Sequence, residues 1–416
     1  MKKFFTVLMA LLFAGSAFAQ SEEKKGPEFK FGLKGAVYGL TGGFGDMAWD
    51  YSHIRVRPGF TAANDNVKGV VTFEIDQDFG TPGADPGTDN LVVEVKHAYL
   101  DAKDVIIPGL TLMGGLNEYS FPLVVKNDFA LVKAGFDFGM GSIFLSYIAV
   151  EEQDVIENDA LDVEDADDVD VYAVDLPLKF DAISVRPGLL YIAGGDQASA
   201  AEAGLTNIAL NVKGDMGMIV FNATGAYITG DTSATDSASA YAVDLNIDVK
   251  PADGIKVGAF FTMGSGDDDT SDDEDKGYFN IMDSFLGSYK APFDSAGKTS
   301  SGAPDGRLLL LENASASSNG GVNYFDAMDA VYGYMSYGLY AEAKMDKLTA
   351  FVQFGMANYI EEDTNGNTAI GSEIDLKLAY TIGPKTDLFV EGAYLISADV
   401  LDDSAYQGIL GVTTSL

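Results

Sequence analysis

The sequence contains no cysteine, and it has only two histidines and one tryptophan. Without cysteine the chain cannot form disulfide bonds, thiolate metal sites or a cysteine nucleophile. A catalytic group built from serine and histidine would depend on His53 or His97. Both lie in strand-like segments, where a histidine is more often a structural hydrogen-bonding group than a base. We therefore predict that the protein is not an enzyme.

Basic residues are scarce as well, since 26 Lys and Arg stand against 63 Asp and Glu and the formal net charge is −37. A protein that binds nucleic acid needs the opposite sign, so no nucleic acid is expected as a partner. Strongly acidic chains are often disordered. Here, however, 47% hydrophobic and 11% aromatic residues favour a folded chain.

Long apolar runs are absent after residue 20. Lys2 and Lys3, the apolar residues 4–13 and the Ala-Phe-Ala at 17–19 predict a secretory signal at residues 1–20. Because no later run is long enough for a spanning helix, any membrane insertion must use strands. No linker-like stretch divides the remainder, so residues 21–416 are predicted to form one domain.

Polar and apolar residues alternate along most of the chain, in about eighteen consecutive segments from residue 29 onward. In one segment Tyr241, Leu245 and Ile247 alternate with Asp244 and Asn246, which is the two-residue period of a β-strand with two different faces. The breaks between segments alternate between tight and long. Tight breaks are expected near 63–66, 103–108, 139–140, 182, 215–216, 251–253, 346–347 and 383–384. Long breaks are expected near 41–50, 79–89, 118–127, 152–167, 195–203, 231–237, 266–331, 361–369 and 397–404.

Bacterial outer-membrane barrels have short periplasmic turns and long extracellular loops. The pattern therefore predicts an all-β fold, a transmembrane up-and-down antiparallel β-barrel of about 18 strands, with 16 as the alternative. A soluble β-sandwich alternates in the same way. Three features favour the membrane barrel.

The first feature is segment length, because a tilted membrane strand needs about 9–11 residues whereas a soluble strand averages about 5–6. The second is the recurrence of tyrosine near segment ends, as in an interfacial girdle. These tyrosines are Tyr38, Tyr99, Tyr147, Tyr191, Tyr227, Tyr337, Tyr359, Tyr394 and Tyr406. The third is a last segment that alternates up to the final residue, like the signal read by the outer-membrane assembly machinery. The expected location is the bacterial outer membrane. The expected partners are its lipid and lipopolysaccharide and that assembly machinery, with a monomer favoured over a trimer.

If the apolar faces contact lipid, the polar faces line a pore. The charged residues expected to line it are Lys30, Arg55, Arg57, Glu74, Asp76, Glu94, Lys96, Lys133 and Arg186. Across all inward positions acids and bases nearly balance, which favours weak selectivity. The predicted function is a porin for passive diffusion of small polar or charged solutes.

Excess acid is concentrated in two loop stretches, residues 151–170 and 267–275. Dense carboxylates bind hard cations such as Ca²⁺. The candidate ligands are Asp267, Asp268, Asp269, Asp272 and Asp273. A solvated anionic surface is the competing interpretation, and no other cofactor is expected. These loops also support the alternative function, a surface-exposed structural or adhesin barrel with acidic, calcium-binding loops.

The predicted extracellular loop 266–331 is much longer than an ordinary connection. It contains Phe279, Phe285 and an apolar run at 308–311 that need cover from water. We expect it to fold over or into the barrel mouth, with a short helix near 279–290.

Several short stretches resemble the alginate-export-like outer-membrane porins. They are residues 53–57 (His-Ile-Arg-Val-Arg), 66–74, 95–101, 264–269 and 332–344. The resemblance implies an eighteen-strand barrel for anionic polysaccharide or other polar solutes, with Arg55, Arg57 and Lys96 at basic lumen positions. Residues 115–122 show a weaker likeness to phosphate-selective porins. At 115–117 the chain reads Gly-Leu-Asn where the family tends to have Gly-Arg-Gln.

Overall fold

The structure is a computed structural model that describes residues 26–79, 92–123, 125–151, 169–194, 204–233, 235–268, 273–279, 281, 308, 310–311, 331–401 and 403–415. Its strands are β1 (Glu28–Phe44), β2 (Met47–Ala63), β3 (Val67–Phe79), β4 (Val92–Lys103), β5 (Leu110–Phe121), β6 (Val125–Asp137), β7 (Ser142–Glu151), β8 (Val169–Asp175), β9 (Leu178–Phe180), β10 (Ile183–Ala193), β11 (Gly204–Asp215), β12 (Ile219–Asp231), β13 (Ser237–Ala252), β14 (Ile255–Gly264), β15 (Glu274–Asp275), β16 (Tyr334–Met345), β17 (Leu348–Asn358), β18 (Ala369–Gly383), β19 (Thr386–Ser397) and β20 (Ala405–Ser415). Among the described residues, no helix has the length and apolar character needed to cross a membrane.

The strands form a closed barrel. Each strand pairs antiparallel with the next one in sequence, and β1 pairs antiparallel with β20. The strands β8 and β9 are successive parts of one barrel strand, since both pair with β10. The two-residue β15 adds to β13 in parallel and is not part of the wall. The barrel therefore has 18 antiparallel strands, and the prediction of this fold is confirmed.

The two faces of the wall differ in polarity as the alternation predicts. On β13 the outward residues Tyr241, Leu245 and Ile247 are exposed, while the inward Asp244 and Asp248 are buried. Exposed large apolar side chains recur on the outer face of most strands. The outer surface is thus apolar and the interior is polar, the arrangement of a barrel in lipid.

The short connections all lie at the edge of the barrel where β1 begins and β20 ends. They occupy residues 64–66, 104–109, 138–141, 181–182, 216–218, 253–254, 346–347 and 384–385, as predicted to within two residues. At the other edge two predicted long breaks are wrong. One is the break at 118–127, because β5 and β6 remain paired up to Phe121 and Val125. Instead of a long break at 41–50, β1 and β2 continue to a two-residue turn at Gly45 and Asp46. Gly45 has a φ of +55°, which fits a tight hairpin turn.

The tyrosine girdle is present but smaller than predicted. Tyr191, Tyr227, Tyr337, Tyr394 and Tyr406 are exposed on the outer face. Others predicted for the girdle lie elsewhere. Tyr38 is buried inside against the ring of His53, Tyr99 lies inside under Lys68, and Tyr359 is buried.

Candidate functional site

A network of charged side chains covers the interior of β2, β3 and β4. Arg55 donates to Asp76 at 2.6 Å, and Arg57 donates to Glu74. Lys96 lies 3.6 Å from Glu74 and 2.7 Å from Asp128. The antiparallel register explains the first contact, since Arg55 and Asp76 are cross-strand partners. We call these six residues the charged network: Arg55, Arg57, Glu74, Asp76, Lys96 and Asp128.

The carboxylates of this network are less exposed than the guanidinium groups that bind them. The side chains of Arg55 and Arg57 are 29% and 32% exposed, whereas those of Glu74 and Asp76 are 5% and 21% exposed. A solute in the interior would therefore meet positive charge on this part of the wall. Guanidinium groups with free N–H bonds bind anionic oxygen atoms well.

A β-bulge decides which residues of β4 enter this network. The pairing of β3 with β4 shifts between Thr72 and Phe73, so Lys96 is the extra residue. The bulge lets two consecutive residues, Lys96 and His97, both contact Asp128, the latter at 3.1 Å from Nε2. Strict alternation places only Lys96 inside, so the sequence alone missed the inward position of His97. His53 is held 3.1 Å from Asp76.

A second feature of the interior is a hairpin that leaves the wall. Strand β5 pairs with β4 only through residues 111–116, and β6 pairs with β7 only from Ala130 onward. Between these limits residues 117–123 and 125–129 project into the barrel, and we call them the inward hairpin. Asp128 near its end contacts Lys96 on β4, and Ser120 near its tip contacts Arg186 on β10.

The tip of the inward hairpin is held at β10 by polar and apolar contacts. Arg186 donates to the backbone carbonyl of Ser120 at 2.9 Å and to both carboxylate oxygens of Asp175. The ring of Phe121 lies over Gly188, where an added Cβ would be only 2.6 Å from it. The prediction of a long extracellular loop at 118–127 is therefore wrong, because these residues form a paired hairpin inside the barrel.

Parts of the predicted loop 266–331 also lie in the interior. The hydroxyl of Tyr278 donates to the carbonyl of Leu123 at 3.0 Å and accepts a bond from Asn207 at 2.9 Å. Burial raises the pKa of Tyr278 well above its usual range, so it stays a neutral phenol able to make both bonds. The backbone N–H groups of Leu310 and Leu311 donate to Glu373 at 2.8 and 3.0 Å.

These inserted residues form one apolar core with the inward hairpin. The core buries Phe121 of the hairpin together with Phe279, Leu308, Leu310 and Leu311. This burial agrees with the prediction that the apolar residues of the long loop are shielded from water. The predicted helix near 279–290 is described only in part. Residues 278, 279 and 281 are helical, while 280, 282–290 and Phe285 lie outside the described residues. Two chain segments therefore narrow the barrel interior from opposite walls.

Of the other predicted pore-lining residues, Glu94 adjoins the network and the rest lie apart from it. Glu94 is exposed at the start of β4 and is the cross-strand partner of Glu74. Lys30 is exposed near the short-turn edge, 3.3 Å from Glu28, and Lys133 lies 4.1 Å above the ring of Phe144. The structure thus brings together five of the nine predicted residues, adds Asp128, and uses Arg186 to anchor the inward hairpin. That any of the nine lines a conducting path stays a proposal.

The acidic metal candidates are only partly described. Asp269, Asp272 and residues 152–168 lie outside the described residues. Asp267 is buried, Asp268 lies 3.2 Å from Lys276, and the carbonyl of Asp273 accepts from the backbone of Ser237. Within the described part of the chain, no group of three or more acidic or histidine side chains could hold a metal ion. Calcium binding by the loops remains a hypothesis.

Gly115 marks the point where β5 turns inward, and we expect it to resist substitution. Its φ is +129°, and a Cβ there would overlap the carbonyl oxygen of Ala98. Gly115→Ala should destabilise the folded barrel by about 1–3 kcal/mol, measured as the urea dependence of the folded, heat-modifiable gel band. The control is Gly39→Ala, because a Cβ at Gly39 meets no atom within 4 Å. Equal midpoints for the two variants would contradict strain at Gly115.

Solved structures share this architecture. The chain matches Pseudomonas aeruginosa OccK8 (OprE) with a TM-score of 0.60, 11% identity, and coverage of 94% of this chain and 99% of that one. It matches the outer membrane protein OpdK of the same organism with a TM-score of 0.58, 11% identity, and coverage of 94% and 98%. For OccK5 (OpdH) the TM-score is 0.55, with 10% identity and coverage of 94% and 98%.

No family model and no curated protein matches the sequence. The similar structures are Occ and Opd proteins, rather than the alginate-export-like or phosphate-selective porins that the short motifs suggested. At these identities the similarity shows a common fold. The shared fold is that of an eighteen-strand outer-membrane barrel.

Proposed function

We propose that the protein is a bacterial outer-membrane porin, a channel for passive diffusion of small polar or charged solutes. One observation carries the proposal. The barrel interior contains a charged network whose arginines stay about a third exposed, although the inward hairpin contacts it through Asp128 and an apolar core fills another part of the interior. A barrel with a solid core would bury these groups. Water therefore has access to the interior, and small solutes can follow it.

The apolar outer face supports the membrane part of this proposal, since such a surface is stable only in lipid or against protein. The similar structures support it too, because one of them is named an outer membrane protein. Lipid, lipopolysaccharide and the assembly machinery follow as proposed partners, with a monomer favoured. A non-enzymatic role is part of the proposal, and the similarity to outer-membrane Occ and Opd structures supports it.

The substrate is proposed only as a chemical class. Exposed guanidinium groups above shielded carboxylates favour solutes with an anionic group at the charged network. Acidic loops outside would oppose this preference, which leaves weak overall selectivity. The alginate-export-like family was suggested by short motifs only, and the similar Occ and Opd structures favour a different kind of outer-membrane channel.

Planar-bilayer recording of the purified, folded protein tests the function. We expect stable, ohmic conductance steps, together with swelling of protein-containing liposomes in small polar solutes. A folded barrel that inserts without conducting would overturn the proposal and favour the surface-exposed structural or adhesin barrel instead.

A further inference from the structure

The short-turn edge of the barrel has one apolar side. Four consecutive turns follow one another here, namely those between β4 and β5, β6 and β7, β9 and β10, and β11 and β12. Three of them carry large apolar residues that are between 44% and 67% exposed. We call these six residues the apolar rim: Ile106, Ile107, Phe138, Met140, Met216 and Met218. At the fourth turn the flanking Phe180 and Ile183 are exposed.

The remaining short turns consist of polar residues, glycine and proline, although exposed Met345, Ile255 and Ile382 lie beside three of them. They read Asn-Asp-Asn at 64–66, Asp-Gly at 253–254, Asp-Lys at 346–347 and Pro-Lys at 384–385. All eight turns join neighbouring antiparallel strands. The contrast therefore reflects a difference in surroundings and not in the connection being made.

Turn geometry does not require the apolar residues. In the β6–β7 turn Gly139 supplies the positive φ, and its N–H donates to the Asp137 carboxylate at 2.8 Å. In the β11–β12 turn Gly217 does the same with Asp215 at 2.9 Å. The side chains of the apolar rim are free to serve another purpose.

The apolar rim is one continuous surface that joins the outer wall. Backbone hydrogen bonds tie each turn to the next, from Asp137 to Gly109 and from Lys179 to Met140, both at 2.9 Å. Directly above it, Phe136, Ile143 and Leu145 are exposed on the outer face. The lipid-facing surface therefore extends without interruption onto the turns.

The wall is short at β7. There only five residue steps separate Tyr147 from Ser142, which spans roughly 13 Å at ordinary strand tilt. On β10 and β12 eight steps separate the exposed tyrosines Tyr191 and Tyr227 from Ile183 and Ile219, roughly 20 Å by the same reckoning. The apolar band of an outer-membrane barrel is about 25 Å tall. Phe138 and Met140 therefore extend the apolar surface where the strand itself is shortest.

We propose that the apolar rim inserts into the periplasmic phospholipid leaflet, so that this side of the barrel sits deeper than the side with polar turns. The surface continues the exposed apolar outer wall and extends its height at β7, which favours lipid over a periplasmic protein as the occupant. This inference rests on the membrane location in the proposed function.

Site-specific labels test the insertion, and the absence of native cysteine allows single-cysteine variants. Ile107→Cys, Met140→Cys and Met218→Cys report on the apolar rim. Asp65→Cys, Asp346→Cys and Lys385→Cys are matched controls in the polar turns. Leu245→Cys, on the outer wall, reports on membrane insertion itself. Each folded variant is labelled with a small fluorophore at its cysteine and reconstituted into phosphatidylethanolamine–phosphatidylglycerol vesicles. Fluorescence is then quenched either by nitroxide-labelled lipid, which reports contact with the bilayer, or by aqueous iodide, which reports contact with water.

Labels on the apolar rim should be quenched severalfold more by nitroxide lipid than the polar-turn labels, and less by iodide. Equal iodide quenching of both sets, with the Leu245 position quenched by lipid, would overturn the insertion and leave the porin proposal intact. Rim labels that lose iodide quenching only when a periplasmic extract is added would also overturn it, in favour of a protein partner. Failure of lipid to quench the Leu245 position would instead contradict the membrane location.

Discussion

Replacing residues 118–127 by a short Gly-Ser bridge should raise single-channel conductance severalfold. These residues form most of the inward hairpin, which spans the interior between Lys96 on β4 and Arg186 on β10. Its removal opens this part of the interior and also removes Phe121 and Leu123 from the apolar core. Planar-bilayer recording of the folded variant provides the measurement.

Deletion of a surface turn outside the barrel interior serves as the control. Residues 363–366 form a turn between β17 and β18 that is closed by Asp363, whose carboxylate accepts the N–H groups of Asn365 and Asn367 at 2.8 Å. The charged form makes these bonds, so the pKa of Asp363 is lowered. Deleting this turn should leave conductance near the parental value.

Failure of the hairpin deletion to fold would not end the test. Phe121→Ala removes only the ring over Gly188 and should increase conductance to a smaller extent, with more current noise. Parental conductance and noise in a folded Phe121→Ala variant, or parental conductance in the folded deletion, would show that the inward hairpin does not limit the pore.

Converting Arg55 and Arg57 together to glutamine should shift ion selectivity strongly towards cations. The two arginines are the most exposed positive groups of the charged network, and they neutralise Glu74 and Asp76. Without them Lys96 is the one remaining cation of the charged network, against the carboxylates of Glu74, Asp76 and Asp128. The reversal potential in a KCl gradient measures the change. The shift should be largest in dilute salt and fade as the screening length falls from about 30 Å at 0.01 M to about 3 Å at 1 M.

The matched control changes the same number of charges near the short-turn edge. Lys347→Gln with Lys385→Gln alters two exposed lysines in the β16–β17 and β18–β19 turns, away from the charged network, and should shift selectivity less. Arg55→Lys with Arg57→Lys keeps both charges and should retain parental selectivity. If the double arginine-to-glutamine variant and the double lysine-to-glutamine variant shift the reversal potential equally, net charge sets selectivity and the charged network does not.

The barrel itself could be predicted from sequence because every strand carries its own evidence. Alternation along β13 already separates Tyr241 and Leu245 from Asp244, and the tight turns fall at Gly and Asp positions. Each barrel strand pairs with its neighbour in sequence. The local patterns of the strands and turns are therefore enough to predict the closed sheet. The count of 18 strands followed from them.

The charged network could be predicted in part for the same reason. Arg55 and Asp76 face each other because a hairpin register relates them, and register is a local property. Asp128 could not be found in this way. It reaches Lys96 only because β5 leaves the wall after Gly115, and the bulge beside Phe73 adds His97 to the same contact.

By itself the sequence determined the strand pattern, the apolar outer face and the polar interior, because a two-residue period is written in every strand. The tertiary structure alone decided how the interior is filled. The bond from Tyr278 to Leu123 joins residues far apart in the chain, and the bonds from Leu310 and Leu311 to Glu373 close another long loop. Such contacts join segments that only the closed barrel brings together, and no local periodicity encodes them.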